Sequence, residues 1–378
     1  MGGMYHTHCQ WRQKASRKWL CNPLIWLKIR LIPWGDSGTI AGMPALSPPA
    51  AQPALSIVVI VYRMAEQALN TLYTLSSHYQ RQVRESDYEI IVVENRSDQT
   101  LDTRRLAALG GNIRYLLRDE SGVSPAAAIN AGLALCRAPF IGLLIDGARM
   151  VTPRVLDYVL MARAIHEDAL VAVPGYNLGP DLHHRNKQLN YNEESERALL
   201  ATVNWRQDGY ELFRICNMGE ANPRGVFQPF MECNCLFTSA ANWQRIGGAD
   251  EAFHFPGGGG LNLHLYRRLG VLKETEYFFI LPGEGSFHQY HGGVSTTERE
   301  DREEMFLSPR SQLESYWNGK FKGLEREPIL LGAVTAQAMP WFQYSSERAS
   351  KRFARKSENH EAFWPSDLHH QRRTHHFL

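Results

Sequence analysis

The chain has 378 residues and a formal net charge of +2, with 44% hydrophobic and 21% charged residues. This length is enough for one large domain or two smaller ones, and the composition is that of an ordinary globular protein. The balanced charge gives no support for a nucleic-acid partner, and the sequence has no run of 18 or more apolar residues that would predict a membrane span.

Residues 1–54 predict an extension that ends in a linker rich in proline and alanine. Within it, residues 17–34 mix basic and large apolar side chains, which suits peripheral contact with an anionic membrane surface. The alternative that we favour is a short helix packed on the domain, or a poorly ordered extension, because prolines interrupt this segment. The six cysteines have no C-x-x-C spacing, which favours free thiols and a cytoplasmic location over disulfides.

From residue 55 onward, apolar strands alternate with amphipathic helices. Strands are predicted at 55–62, 89–93, 113–117, 140–145, 170–173 and 277–281, and helices at 66–79, 125–136, 153–165, 193–203 and 261–269. The polar stretch 174–225 predicts an inserted lid or an acceptor loop. Because the strands do not alternate in polarity, they predict an α/β fold with a doubly wound, mostly parallel sheet flanked by helices. This domain covers 55–297, and a helical and tail region covers 298–378.

Polar side chains follow three of the predicted strands, namely Tyr62, then Glu94 with Asn95, and then Asp146. The carboxyl ends of parallel strands are where ligands bind in such sheets. An ionised Asp146 after a buried strand is costly unless it is paired or binds a ligand. Amides and carboxylates at this edge suit ribose hydroxyls and a divalent metal on a diphosphate. The sequence lacks G-x-G-x-x-G and Walker motifs, which argues against dinucleotide dehydrogenases and P-loop NTPases.

From about residue 55 to 293, the sequence resembles the family 2 glycosyltransferases of the GT-A fold. The resemblance rests on five segments in order, at 56–62, 91–97, 121–132, 141–153 and 247–251. It implies a GT-A type mixed sheet, a nucleotide-sugar donor (UDP-sugar first), a Mn²⁺ or Mg²⁺ cofactor, and a glycan, lipid-linked or small-molecule acceptor. The donor-binding residues that it implies are Tyr62, Glu94, Asn95, Ser97, Asn130 and Asp146.

Two departures from the family pattern concern the metal and the base. The family's Asp-x-Asp is reduced to Asp146 followed by glycine and alanine, and its Glu-Asp motif falls on the glycine-rich segment 257–263. The family often places a histidine ligand near the glycine-rich segment 283–293, which holds His288 and His291. We expect at most one of them to ligate, because on a strand they would face opposite ways. Two histidines hydrogen-bonded within a turn are the alternative.

An inverting transfer also needs a base for the acceptor hydroxyl, whereas a retaining transfer does not. Asp250 is the first candidate, because it lies in a segment that resembles the family, and Glu251, Glu232 and Glu284 follow. For each of these, a turn or cap carboxylate is the structural alternative. The single carboxylate of the metal motif also favours a second hypothesis, a weak or inactive nucleotide- or glycan-binding protein that keeps the fold. A nucleotidyl enzyme is disfavoured by the lack of a glycine-rich phosphate loop.

Overall fold

The computed structural model describes residues 52–119, 124–181, 190–291, 302–319 and 323–364. The segment 17–34, predicted to contact a membrane or to pack as a helix, lies outside these residues, as does nearly all of the N-terminal extension. Among the helices described, none combines the length and the apolar character that a membrane crossing requires. Residues 51–378 form one compact unit.

The strands and helices follow the predicted order along the chain. The strands are β1 (Leu55–Val61), β2 (Tyr88–Asn95), β3 (Ile113–Arg118), β4 (Phe140–Leu144), β5 (Arg149–Val151), β6 (Leu170–Ala172), β7 (Gly175–Leu178), β8 (Cys216–Met218), β9 (Cys235–Ser239), β10 (Phe278–Ile280), β11 (Ser286–His288) and β12 (Ile329–Leu330). The helices are α1 (Ala65–Leu75), α2 (Thr103–Ala107), α3 (Ala126–Leu135), α4 (Val155–Ile165), α5 (Glu193–Leu200), α6 (Ala240–Arg245), α7 (Leu261–Gly270), α8 (Arg302–Tyr316) and α9 (Met339–Glu358).

Within the described ranges, eight strands form the main sheet in the order β12-β10-β6-β9-β4-β1-β2-β3. Strand β9 runs antiparallel to both of its neighbours, β4 and β6, and the other pairings are parallel. The predicted fold class, a mixed and mostly parallel α/β sheet flanked by helices, is confirmed. Strand β4 lies in the middle of this sheet, so that the residue that follows it emerges at the centre of one edge.

Both faces of the main sheet are buried, as the lack of alternation in the strands predicts. In β1, the side chains of Ile57 and Val59 pack with α1 and α4, whereas Val58 and Ile60 pack on the opposite face with α3. Each of these four side chains is at most 4% exposed. Burial on both faces explains why these strands consist of continuous apolar runs and why they were predictable.

A second sheet, of four short strands in the order β5-β11-β7-β8, was not predicted. Two of its strands, β7 and β8, lie within the stretch 174–225. The prediction of an inserted lid or loop is therefore wrong for the residues of these two strands. An aromatic cluster that includes Tyr176, Phe213 and Phe287 packs against this sheet. Strand β5 begins three residues after Asp146, and β11 ends at His288, so this sheet brings the two segments together.

Candidate active site

Asp146 follows β4 at the centre of the main sheet and turns the chain toward β5. Its Oδ1 accepts a hydrogen bond from the Ala148 N–H at 2.9 Å. A Cβ on Gly147 would lie 2.7 Å from the carbonyl oxygen of Ile60, closer than side chains tolerate. The turn therefore needs glycine after Asp146 and leaves the second carboxylate oxygen, Oδ2, directed away from the backbone of the turn.

His288 and His291 both face the Oδ2 of Asp146. The Nε2 atoms of His288 and His291 lie 2.8 Å and 3.7 Å from this oxygen, and 3.1 Å from each other. Strand β11 ends at His288, and the turn that follows brings the His291 ring to the same side. The reason for expecting at most one of them to ligate, that on a strand they would face opposite ways, is therefore wrong here, because the strand ends at His288.

The turn that carries the histidines is attached to three other segments. The Gln289 N–H donates to the Ala148 carbonyl at 2.8 Å, and the Gln289 amide donates to the Gln67 carbonyl of α1 at 2.9 Å. The Tyr290 N–H donates to a carboxylate oxygen of Glu196 on α5 at 2.7 Å. These hydrogen bonds fix the two residues between the imidazoles, and an ordered ligand set requires such support.

The protonation states in this cluster suit metal ligation. Burial alone would raise the pKa of Asp146, but the charges and hydrogen bonds of His288 and His291 bring it well below its usual range. Burial lowers the pKa of His288 to about 4, although Asp146 opposes this effect. At neutral pH Asp146 is therefore ionised and His288 is neutral, and these are the forms that bind metal ions.

The donor atoms of this cluster fit a divalent ion. One carboxylate oxygen and two imidazole nitrogens, one from each residue, lie within 4.8 Å of one another. With separations of about 3 to 4 Å, Asp146, His288 and His291 would hold such an ion together. Imidazole nitrogens are better ligands for first-row transition metals than for Mg²⁺, which takes oxygen ligands. The residues present therefore fit Mn²⁺ better than Mg²⁺.

Glu232 lies beside the same strand end. Its two carboxylate oxygens accept hydrogen bonds from the side-chain amides of Asn234, at 3.2 Å, and Asn262, at 2.6 Å. The Asn234 carbonyl in turn accepts from the N–H of Ile145, the residue before Asp146. Burial raises the pKa of Glu232, and these amides oppose the effect. The carboxylate is thus linked through Asn234 to the backbone of the residue before Asp146, and its pKa is raised.

Asp250 and Glu251 occupy a turn stabilised by local hydrogen bonds. Asp250 accepts from the Ala252 N–H at 2.9 Å and from the hydroxyl of Tyr316 at 2.7 Å. The second of these bonds lowers the pKa of Asp250. Glu251 accepts from the side-chain amide of Asn130 at 2.9 Å. The structure thus brings these three predicted residues together as a link between α3, the turn and α8, and the described residues show no hydrogen bond from them to Asp146.

Glu94, expected to contact the nucleotide, instead faces inward. It is 0% exposed, and its oxygens accept from the Leu101 N–H and, at 2.5 Å, from the hydroxyl of Tyr115. In this arrangement no carboxylate oxygen is open to a ribose hydroxyl, because both oxygens accept hydrogen bonds from the backbone of the loop after β2. Asn95 is also buried, and its side-chain oxygen accepts from Arg118 at 3.3 Å.

Three further predicted residues have different surroundings. Tyr62 is 40% exposed and follows the carboxyl end of β1. The Ser97 hydroxyl makes hydrogen bonds with the backbone of Gln99 at 3.1 Å, within an exposed turn. Glu284 is 1% exposed, accepts from the Tyr210 hydroxyl at 2.8 Å, and is too deeply buried to reach an acceptor.

Three residues near the cluster were not singled out from the sequence, namely Arg149, Asn262 and Gln289. Arg149 directly follows the reduced metal motif, and this position in the sequence could have indicated a role in the site. Asn262 lies within the segment that replaces the family's Glu-Asp motif. Its amide side chain is a weaker indication of such a role. Nothing in the sequence marked Gln289, because its role depends on how α1 packs against the turn.

The fold places the chain in the class of α/β proteins with a mostly parallel sheet flanked by helices. Within this class, residues 56–222 match the family model described as glycosyl transferase family 2. The resemblance stated from the sequence is thereby confirmed. The matched segment includes β1 to β8 and Asp146, whereas the two histidines and Glu232 lie beyond it. No curated protein sequence matches the chain.

Solved structures of TarS from S. aureus are similar to this chain at a low level. TarS 1-349 in complex with UDP-GlcNAc aligns with 11% identity and a TM-score of 0.46, over 79% of this chain and 72% of that one. TarS 1-349 without a stated ligand aligns with 12% identity and a TM-score of 0.42, over 62% and 60%. The TarS chain aligns with 12% identity and a TM-score of 0.43, over 78% and 43%.

Proposed function

We propose that this protein is a glycosyltransferase that moves a sugar from a nucleotide-sugar, a UDP-sugar first, to an acceptor hydroxyl. The observation that carries the proposal is the meeting of Asp146, His288 and His291 at the carboxyl edge of the sheet. This edge is where ligands bind in open α/β sheets. The family match over residues 56–222 supplies the class of reaction.

Asp146, His288 and His291 would hold a divalent ion, and Mn²⁺ fits this donor set better than Mg²⁺. When bound, such an ion supplies Lewis-acid stabilisation of the departing diphosphate. Asp146 is ionised and His288 is neutral at neutral pH, and these are the forms that would bind the ion. The hydrogen bonds of Gln289 and Tyr290 keep the imidazoles in place.

We propose Glu232, rather than Asp250, as the base for an inverting transfer. Glu232 is linked through Asn234 to the backbone before Asp146 and has a raised pKa, whereas Asp250 has a lowered pKa and sits in a turn. In the transfer, the bond between the anomeric carbon and the diphosphate oxygen breaks, and its electron pair stays on the diphosphate. The acceptor oxygen bonds to the anomeric carbon, and its proton passes to Glu232.

Three further parts of the proposal rest on the sequence. The acceptor is a glycan, a lipid-linked compound or a small molecule. The location is cytoplasmic, with peripheral membrane contact through residues 17–34 as an addition to it. The division into an extension (1–54), a catalytic domain (55–297) and a C-terminal region (298–378) also remains a proposal.

The test is turnover of UDP-, GDP- and dTDP-sugars by the full chain, with and without Mn²⁺, together with Mn²⁺ binding measured by calorimetry. We expect slow donor hydrolysis that requires Mn²⁺ and is abolished in Asp146→Asn. His288→Gln and His291→Gln should each weaken Mn²⁺ binding at least tenfold. The matched control is His264→Gln, since His264 is also buried but packs against Phe253 and Tyr316.

The same measurements separate the two hypotheses from the sequence. Binding of a nucleotide-sugar in the presence of Mn²⁺ without any turnover would favour the binding protein over the enzyme. Turnover that persists without metal and in Asp146→Asn would contradict the proposed site. Unchanged Mn²⁺ binding in all three ligand variants would contradict it as well.

A further inference from the structure

Arg149 is a buried arginine in the candidate site whose guanidinium makes no hydrogen bond with the described residues. Its side chain is 10% exposed, and its Nε lies 3.9 Å from Asp146 Oδ2, beyond hydrogen-bond distance. The Nε is buried and has no hydrogen-bond partner within the described part of the chain. Leaving a buried charged donor unsatisfied costs free energy, so this position calls for a ligand that the chain itself does not supply.

The position of Arg149 directs its side chain into the site. Arg149 begins β5 and pairs directly with His288 of the antiparallel β11. Side chains of directly paired residues lie on the same face of a sheet. Arg149 and His288 therefore share the face on which Asp146 lies, and the guanidinium stands next to the three predicted metal ligands.

Nearby carboxylates do not account for this arginine as an ordinary ion pair. Stable arginine–carboxylate pairs have N–O distances of about 2.7 to 2.9 Å, often in a two-bond fork. Asp146 is farther away, and Glu232 gives its oxygens to two amides. The positive charge of Arg149 nevertheless lowers the pKa of Glu232, so the guanidinium is near enough to interact with both Asp146 and the proposed base.

We propose that Arg149 binds the diphosphate of the nucleotide-sugar donor and stabilises it as it departs, an inference that rests on the proposed function. A guanidinium offers five N–H donors in a planar fork that matches phosphate oxygens. The position that carries the family's second carboxylate is Ala148 in this chain, and a fixed cation follows it. Negative charge that develops on the diphosphate would thus meet preorganised N–H donors.

A fixed cation beside the metal ligands has a second consequence. It repels a divalent ion when no diphosphate is present, because like charges at such distances interact strongly in a partly buried site. Removing the charge should therefore weaken diphosphate binding and strengthen binding of the metal alone. A purely structural arginine would not produce opposite effects on the two ligands.

The experiment measures binding of inorganic pyrophosphate, UDP and Mn²⁺ to the full chain by calorimetry. Pyrophosphate carries the group in question and nothing else. In Arg149→Met we expect pyrophosphate and UDP to bind at least tenfold more weakly, and Mn²⁺ alone to bind several-fold more tightly. Arg149→Lys, which keeps the charge but loses the fork, should fall between wild type and Arg149→Met for pyrophosphate. The control is Arg137→Met, which removes an arginine paired with Glu89 at the opposite end of the strands.

The outcomes distinguish this inference from the proposed function. If the wild type binds pyrophosphate and UDP and Arg149→Met binds them equally well, Arg149 is not a diphosphate ligand, and the proposed function stands. If Arg149→Met weakens Mn²⁺ and pyrophosphate in parallel with a lower melting temperature, the role is structural, and the inference is overturned. If the wild type binds neither pyrophosphate nor any nucleoside diphosphate with Mn²⁺, both proposals fall.

Discussion

The charges of the candidate site differ from those of an Asp-x-Asp motif residue by residue. One carboxylate, Asp146, remains, and the two imidazoles would supply the other ligand atoms. The His288 imidazole is neutral at neutral pH. Arg149 adds a positive charge within the same site. A site of this kind holds a bare divalent ion less tightly than two carboxylates do, so tight metal binding should depend on the diphosphate.

The assignment of the base predicts a specific effect of Glu232→Gln. Glutamine keeps the hydrogen-bonding shape of the side chain but cannot take the acceptor's proton at neutral pH. We expect kcat for sugar transfer to fall about 10²- to 10⁴-fold, the usual contribution of a general base. Donor binding should change by less than threefold. Steady-state kinetics with a competent acceptor, together with calorimetry of the donor, measure both quantities.

Asp250→Asn is the matched control for this prediction, because it also removes one carboxylate charge. It should lower kcat by less than threefold, since Asp250 accepts hydrogen bonds only from Ala252 and Tyr316 among the described residues. A large loss in Asp250→Asn with full activity in Glu232→Gln would reverse the assignment. It would restore the order of candidates that the sequence predicts.

Single residues differ in how far the sequence could predict them. The position of Asp146 at the edge of the sheet could be predicted, because it is a polar residue directly after a continuous apolar strand. Glu94 was not, because β2 is buried on both faces and its sequence does not say which side of the sheet each residue faces. The structure puts Glu94 under the loop that begins near Leu101, a contact that depends on tertiary packing.

At the scale of elements, the turn after β11 decides whether both histidines reach Asp146. Gln289 lies between them, is 0% exposed, and uses its side-chain amide to bind the Gln67 carbonyl and the Thr71 hydroxyl of α1. A ligand pair three residues apart needs such an anchor, because an extended strand would place the imidazoles on opposite faces.

Gln289→Leu should therefore weaken Mn²⁺ binding about tenfold or more without removing any ligand. The reason is that loss of the anchor lets the imidazoles leave their shared face, as with other residues that orient metal ligands. Gln80→Leu is the control, since Gln80 is also buried and bonded to backbone carbonyls, at Thr74 and Thr152. Equal Mn²⁺ affinity in wild type and Gln289→Leu would show that the turn holds its shape without this amide.

The strands of the second sheet could not be predicted from the sequence because they are three or four residues long. Over so few residues, neither alternation nor a continuous apolar run can be recognised. Their pairing is also non-local, since β5 and β11 are separated by more than a hundred residues. The metal cluster depends on this pairing, so the sequence could suggest its members but not their geometry.

Across the whole molecule, each of the two sheets contributes different residues to the candidate site. The main sheet, predictable from its apolar strands, supplies Asp146 at its central edge. The second sheet supplies His288 and Arg149 from paired strands. Glu284 lies where the two sheets meet, in the segment between β10 and β11, and its carboxylate accepts from the Tyr210 hydroxyl and the Arg154 N–H. The protonation state of Glu284 should therefore affect the free energy of unfolding of the chain.

Glu284 predicts a pH dependence of unfolding between about pH 4.5 and 7. Burial raises the pKa of Glu284 from 4.5 to about 7, so in this range the folded chain keeps a proton that the unfolded chain releases. Stability from this group is complete below pH 4.5 and is lost as the pH rises to 7, by about 3 kcal/mol at most. Glu284→Gln removes this contribution. Denaturant unfolding at pH 5 and pH 8 should therefore show the variant gaining relative to wild type at the higher pH.

The control for this pH dependence is Glu347→Gln, which changes an exposed carboxylate on α9. Its free energy of unfolding should follow that of the wild type at both pH values, because this substitution leaves Glu284 and its hydrogen-bond partners unchanged. The Tyr210 hydroxyl can still donate to the glutamine carbonyl in Glu284→Gln, so the hydrogen bond itself is not the variable. An unchanged difference between wild type and Glu284→Gln at pH 5 and pH 8 would mean that Glu284 ionises in the folded protein as it does in water.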